Sequence, residues 1–178
     1  MRWTIAQVVD ALAVKPGPGL DPMARVAGVS IDSRTVRAGE LFVAIHGPRH
    51  DGHDYVESTL ERGALAAVVA QSQISRYAEG VRNLSIVVGD TFEALKQLAR
   101  AVRLAWGGKI AGVTGSVGKT TTKEILAALL GSKLRVLKSE GNFNNEYGLP
   151  LTLFRLDETH QAAVSRHPDR RRWRELRR

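Results

Sequence analysis

The segment GVTGSVGKTTTKEIL, Gly112 to Leu126, starts as the apolar run KIAGV ends and finishes inside a stretch with helical spacing. At its centre stand Thr114, Gly115, Ser116, Val117, Gly118, Lys119 and Thr120, with Thr121 next. The general phosphate-binding pattern G-x-x-x-x-G-K-[ST] is met at Gly118, Lys119 and Thr120, but Val113 occupies the place of its first glycine. The physical requirement is still satisfied. Two glycines let the backbone curl until successive N–H groups face one point, and a helix beginning there aims its positive end at the same point. Lys119 is the expected catalytic cation, supplying charge to the β- and γ-phosphates of ATP, and the Thr120 hydroxyl is the expected ligand for Mg2+. The plainer alternative is a glycine-rich turn that binds nothing.

Working outward, KIAGV reads as a strand and Lys119 to Leu130 as a helix with Ile125, Leu126 and Leu129 inward. RVLK is a further strand, GNFNNEYGLP a polar loop, LTLFRL a short helix and QAAV the opening of another strand. Strand, glycine loop, helix, strand is the order of a parallel α/β sheet. Upstream, Thr4 precedes Ile5, Val8, Val9 and Leu12 as the cap of an amphipathic helix that KPGPGLDP terminates. The runs RVAGVSI, LFVAIHG, LAAVVA and LSIVVG read as strands, and YVESTLERGA as a short helix with Val56 and Leu60 inward. From Asp90 a longer helix places Phe92, Leu95, Leu98, Ala99, Val102 and Trp106 on one stripe, before Gly107 and Gly108 end it. The expected fold is α/β: a small N-terminal α/β domain (1–89), a connecting helix (90–108), and the start of a P-loop-type parallel-sheet ATPase domain (109–164). Residues 165–178 form an Arg-rich tail.

Composition narrows the function classes. The absence of cysteine excludes disulfides and thiolate metal sites and fits a cytoplasmic protein. Apolar runs are too short for a membrane span, and Asp10 interrupts the one N-terminal stretch that could resemble a signal peptide. Of the formal charge of +8, residues 165–178 carry +5, so the remainder holds only +3 and gives no strong nucleic-acid signal. His46, His50 and His53 lie close together in a segment of turn composition whose spacing matches no common zinc pattern, so turn-stabilising or substrate-edge roles are expected of them.

Thr114 to Thr120 resembles the nucleotide loop of the Mur ligases, T-G-[ST]-x-G-K-[ST], which also lacks the generic first glycine. VSIDSRTVRAGELFVAIHGPRHDGHDYVESTLERGALAAVV is similar to the N-terminal uridine-nucleotide domain of that family, and EGNFNNEYGLPLTLFRL to the member that joins D-alanyl-D-alanine to a UDP-MurNAc-tripeptide. The three motifs occur in the family's order over residues 1 to 164. The resemblance implies an ATP-dependent ligase, active as a monomer, that forms an acyl phosphate and lets the amine displace phosphate. It places Ser30, Asp32, Ser33 and Arg34 near the UDP end of the substrate, and Asn142, Asn144 and Asn145 near the muramyl peptide and the phosphates. Hydroxyls, a guanidinium and amides suit those groups. Taken without the family, Asp32 to Arg34 read equally as a capped or salt-bridged turn, and the asparagines as a loop satisfying its own backbone. The alternatives are another Mur-type ligase, such as the one adding the third amino acid, a folylpolyglutamate synthetase, a nucleotide-binding module without catalysis, or a tail-driven nucleic-acid binder.

After HQAAV the family continues with an apolar strand bearing a magnesium-binding Glu, whereas here SRHPDRRRWRELRR follows. Such a change is what a shifted reading frame would produce, and a solvated basic tail would also account for it. The expectation is that strand pairing stops after Val164 and that the 178-residue chain does not itself ligate.

Overall fold

The computed structural model describes residues 3–139 and 147–166. It divides into two compact units, Met1–Leu98 and Ala99–Arg178.

The first unit opens with α1 (Ile5–Leu12). Thr4 and Gln7 form a reciprocal capping box: the Gln7 N–H donates to Thr4 Oγ1 at 3.4 Å and the Thr4 N–H to Gln7 Oε1 at 3.0 Å. Ile5, Val8, Val9 and Leu12 are buried on one face, as the spacing predicts. Four strands follow, β1 (Val29–Ser30), β2 (Leu41–Val43), β3 (Ala66–Ala70) and β4 (Ser85–Val88), with α2 (Val56–Glu61) between β2 and β3 and α3 (Glu79–Asn83) between β3 and β4. They pair in parallel in the order β1-β2-β3-β4. Strand neighbours that follow one another in sequence and run parallel need a crossover each time; a turn-rich loop makes the first, from β1 to β2, and segments containing α2 and α3 make the next two.

Alternation along β2 and β3 sends successive side chains to opposite faces, yet Leu41, Phe42, Val43, Ala66, Ala67, Val68 and Val69 are all fully buried, so this part of the sheet is covered on both sides. On one face Phe42, Ala44, Val56, Ala64, Ala67 and Val69 form the core, with Leu60, Tyr77 and Val81 packed partly against it. The strands are shorter than the apolar runs that announced them: RVAGVSI forms continuous strand at Val29 and Ser30, and LFVAIHG from Leu41 to Val43.

The helix α4 (Thr91–Trp106) contains the division between the units. Asp90 Oδ1 accepts from the N–H groups of Phe92 at 2.7 Å and Glu93 at 2.9 Å, which satisfies two otherwise orphaned donors of the first turn. Glu93 pairs with Lys96.

The second unit holds β5 (Lys109–Val113), α5 (Lys119–Gly131), β6 (Val136–Lys138), α6 (Gly148–Leu153) and β7 (Ala162–Arg166). Its three strands are parallel in the order β5-β7-β6, so the last strand in sequence lies between the first two. Two expectations are corrected here. β7 does not stop at Val164: Ser165 and Arg166 continue it, paired with Gly112 and Val113 of β5. An inserted central strand can pair on both sides, and residues of low strand propensity are carried along by a neighbour that offers its own backbone groups. The second correction concerns α5. Ile125 and Leu129, expected inward, are 55% and 67% exposed, while Lys123 and Ala127 are buried and Leu126 and Leu130 half-buried. These four follow i, i+3, i+4, i+7 spacing, so α5 turns a different stripe to the sheet from the most apolar one.

Among the described residues, Ser165 Oγ is the one buried side-chain polar atom without a hydrogen-bond partner. No helix among them is long and apolar enough to cross a membrane.

Candidate phosphate-binding and substrate sites

β5 ends at Val113, and the backbone then turns through Thr114 to Gly118 before α5 begins at Lys119. Gly115 has φ +155° and Gly118 φ +76°, conformations that favour glycine because a Cβ would collide with the backbone. Gly118 is the N-cap of α5, and α5 receives no side-chain capping bond there. The N–H groups of its first turn are therefore left to the loop mouth, where an anion would be held by them and by the helix dipole. Lys119 folds back over the loop, its Nζ donating to the carbonyl oxygens of Gly115 at 2.5 Å and Ser116 at 3.3 Å. The ammonium thus already lies over the curl, stabilised by carbonyls that a phosphate would replace as partners. Val117, at the tip, is 90% exposed. Thr121 is exposed on the first turn of α5.

Thr120 carries a contact that the motif does not announce. Its Oγ1 accepts a hydrogen bond from Arg166 Nη1 at 2.7 Å. Arg166 was expected to belong to a tail; the pairing of β7 with β5 brings it level with Val113, one residue before the loop. Sequence reading could not find it, because the two residues are 46 positions apart and only strand register unites them.

Behind the loop, α5 and β6 are joined by ion pairs. Glu124 accepts from Lys123 Nζ at 2.9 Å and Lys138 Nζ at 2.7 Å, and these two hydrogen-bonded ammonium groups hold its carboxyl down at about 2.

The second group of predicted site residues lies in the first unit, in the turn after β1. Ser30 Oγ donates to the Asp32 carbonyl at 3.1 Å and accepts from the Asp32 N–H at 3.2 Å. Arg34 approaches Asp32 with two side-chain bonds, Nε to Oδ1 at 2.9 Å and Nη2 to Oδ2 at 2.7 Å, and its N–H donates to Oδ1 at 3.0 Å. The Arg34 side-chain bonds, then its N–H, lower the Asp32 carboxyl to about 2. The Ser33 carbonyl is bonded by Arg62. Ser30, Asp32, Ser33 and Arg34 therefore form one self-braced turn, with the Arg34 side chain 85% exposed and carrying its charge into solvent. Asn142, Asn144 and Asn145 lie outside the described residues.

The histidines separate. His53 is buried; its Nε2 accepts the Ala70 N–H at 3.0 Å, so the proton sits on Nδ1, which lies 2.6 Å from Asp51 Oδ1. His46 Nδ1 is 3.2 Å from the other Asp51 oxygen, and His50 is exposed. Burial works to raise the Asp51 carboxyl, but the His53 N–H, the His53 ring and the His46 ring together hold it below its ordinary range. This is a turn clamp tying the segment after β2 to the end of β3. Among the described residues no group of three or more His, Cys, Asp or Glu is placed to hold a metal ion.

Parallel strands with a glycine-cornered loop opening onto a helix define a phosphate-loop α/β protein. The chain belongs to the Mur ligase family: residues 25–103 match the Mur ligase family, catalytic domain, and residues 113–166 the Mur ligase middle domain. It is 43% identical over 139 residues to the UDP-N-acetylmuramoyl-tripeptide--D-alanyl-D-alanine ligase of Bacillus subtilis (strain 168), covering 78% of this chain and 30% of that protein. Its fold is similar to a crystal structure of MurF from Acinetobacter baumannii, with a TM-score of 0.84, 31% identity, and coverage of 95% of this chain and 36% of the other. It is also similar to MurF ligase from Thermotoga maritima in complex with ADP, with a TM-score of 0.66, 37% identity, and coverage of 78% and 31%. The chain thus spans 30% to 36% of the length of these relatives.

Proposed function

We propose that the chain carries the nucleotide-handling portion of an ATP-dependent ligase that joins D-alanyl-D-alanine to a UDP-MurNAc-tripeptide in the cytoplasm, acting as a monomer. In that reaction ATP converts the tripeptide's terminal carboxylate to an acyl phosphate, and the dipeptide amine displaces phosphate. The observation that carries this reading is the position of Lys119 Nζ over the Gly115 and Ser116 carbonyls, at the start of α5. A cation and helix-terminal N–H groups converging on one point stabilise the charge that develops on a transferring phosphoryl group. The braced turn Ser30 to Arg34 would meet the UDP end of the substrate through the exposed Arg34, and Asn142, Asn144 and Asn145 the muramyl peptide and phosphates. Residues 1–89 then serve as the UDP-substrate domain, 90–108 as a connecting helix and 109–164 as the start of the ATP-binding domain.

Magnesium belongs to this reaction class and Thr120 is the residue expected to bind it. In this chain the Thr120 hydroxyl already accepts a hydrogen bond from the Arg166 cation, and no acidic cluster among the described residues is placed to neutralise a divalent ion. The donor set does not fit the metal.

Titration of the 178-residue chain with ADP by calorimetry tests the nucleotide site. Lys119→Ala is expected to weaken ADP at least about tenfold, the loss of one charge-assisted phosphate contact, with the thermal midpoint unchanged. Equal affinity in this variant would refute the site. Because the chain covers only about a third of its relatives, nucleotide binding without ligation is expected of it alone. ADP release that requires both the tripeptide substrate and D-alanyl-D-alanine would contradict this.

A further inference from the structure

The contact between Arg166 and Thr120 changes what the phosphate loop can bind and under which conditions. β7 lies between β5 and β6, and its last residue is in register with Val113, so the Arg166 side chain reaches the loop from the neighbouring strand. The same residue is anchored through its backbone, whose N–H donates to Ser139 Oγ at 3.3 Å. The guanidinium places a positive charge directly beside the Thr120 hydroxyl. A divalent cation coordinated by Thr120 Oγ1 would have to share that oxygen with a cation and would be repelled by it. A guanidinium also does what a metal does for phosphates: it neutralises charge and offers a planar fork of donors that fits two oxygens at once. Its contact with Thr120 engages one of five N–H donors.

We infer that in this chain Arg166 takes the electrostatic place of the divalent metal, so that the diphosphate of a nucleotide binds to Lys119, Arg166 and the loop N–H groups without magnesium. This rests on the phosphate-loop reading above. Thr120 then positions the guanidinium instead of coordinating a metal.

The test is calorimetric titration of the full chain with ADP, once in EDTA and once in millimolar magnesium chloride, for the unsubstituted protein, Arg166→Gln, Arg166→Lys and Lys119→Ala. The expected result is an ADP affinity in EDTA within about threefold of that in magnesium, and a loss of about tenfold in EDTA for Arg166→Gln, as removal of one charge-assisted contact predicts. Arg166→Lys keeps the charge without the fork and should fall between; it also serves if Arg166→Gln impairs folding, which thermal melting reports. ADP binding that magnesium strengthens more than about threefold, or an Arg166→Gln affinity in EDTA equal to that of the unsubstituted protein, overturns the inference and leaves the phosphate-loop reading standing. ADP binding in neither buffer overturns both.

Discussion

Lys123 Nζ donates to the carbonyl oxygen of Ser139 at 2.6 Å, with the lysine side chain almost completely buried. Ser139 in turn donates its N–H to the Val164 carbonyl at 3.1 Å and accepts the Arg166 N–H on its Oγ. One ammonium therefore links the middle of α5 to the end of β6, and through Ser139 to β7. Lys123→Ala is expected to lower stability by about 3 kcal/mol, combining a lost buried bond with a cavity. Lys123→Met refills most of the volume and should cost about 1 to 2 kcal/mol. Urea unfolding followed by circular dichroism measures both; equal midpoints for Lys123→Ala and the unsubstituted chain would remove the linking role.

His53 spans two elements in the first unit, accepting from the Ala70 N–H and bonding Asp51. Its substitution by Ala leaves the half-buried Ala70 N–H without this partner and an imidazole-sized gap, for an expected loss of about 3 kcal/mol. Amide hydrogen exchange gives a local reading. The Ala70 amide should exchange much faster in His53→Ala, whereas unchanged protection at Ala70 would show that the imidazole does not hold it.

Acid sensitivity follows from Asp32. Its folded value, about 2, lies below the ordinary 3.8, so the unfolded chain takes up the proton first. The stabilisation is therefore complete above about pH 4 and is lost as pH falls from there through 2. The contribution of Glu124, lowered from an ordinary 4.5 to about 2, is lost as pH falls from about 4.5 through 2. The thermal midpoint should drop between pH 4 and 2, and Asp32→Asn should flatten part of that drop. A profile identical in Asp32→Asn would show that the Arg34 pairing does not contribute.

Ile125 and Leu129 project from α5 into solvent. Replacing either by Lys should change stability by no more than about 0.5 kcal/mol, as is usual for exposed positions. The double variant should also lower any self-association, since an apolar stripe is removed. Sedimentation velocity and urea unfolding check the two statements, and a large loss of stability would mean that this stripe packs inward after all.

Much of the local structure was legible because its causes are local. Thr4 announces the start of α1, Asp90 announces α4, and Gly115 and Gly118 mark a backbone that only glycine adopts readily. The short helix α3 and the 3-10 turn Gln71–Arg76 have no buried residue, so no apolar period in the sequence marks them.

By itself the sequence determined the alternation of strands and helices, the place of the phosphate loop between β5 and α5, and the family motifs, all of which depend on neighbours along the chain. The tertiary structure alone decided three things. It inserted β7 between β5 and β6, turned Lys123 rather than Ile125 and Leu129 toward the sheet, and brought Arg166 to Thr120. Each depends on which distant strand supplies hydrogen-bond partners and in what register, and a one-residue slip there reverses every side chain's direction. Local periodicity carries no information about that choice.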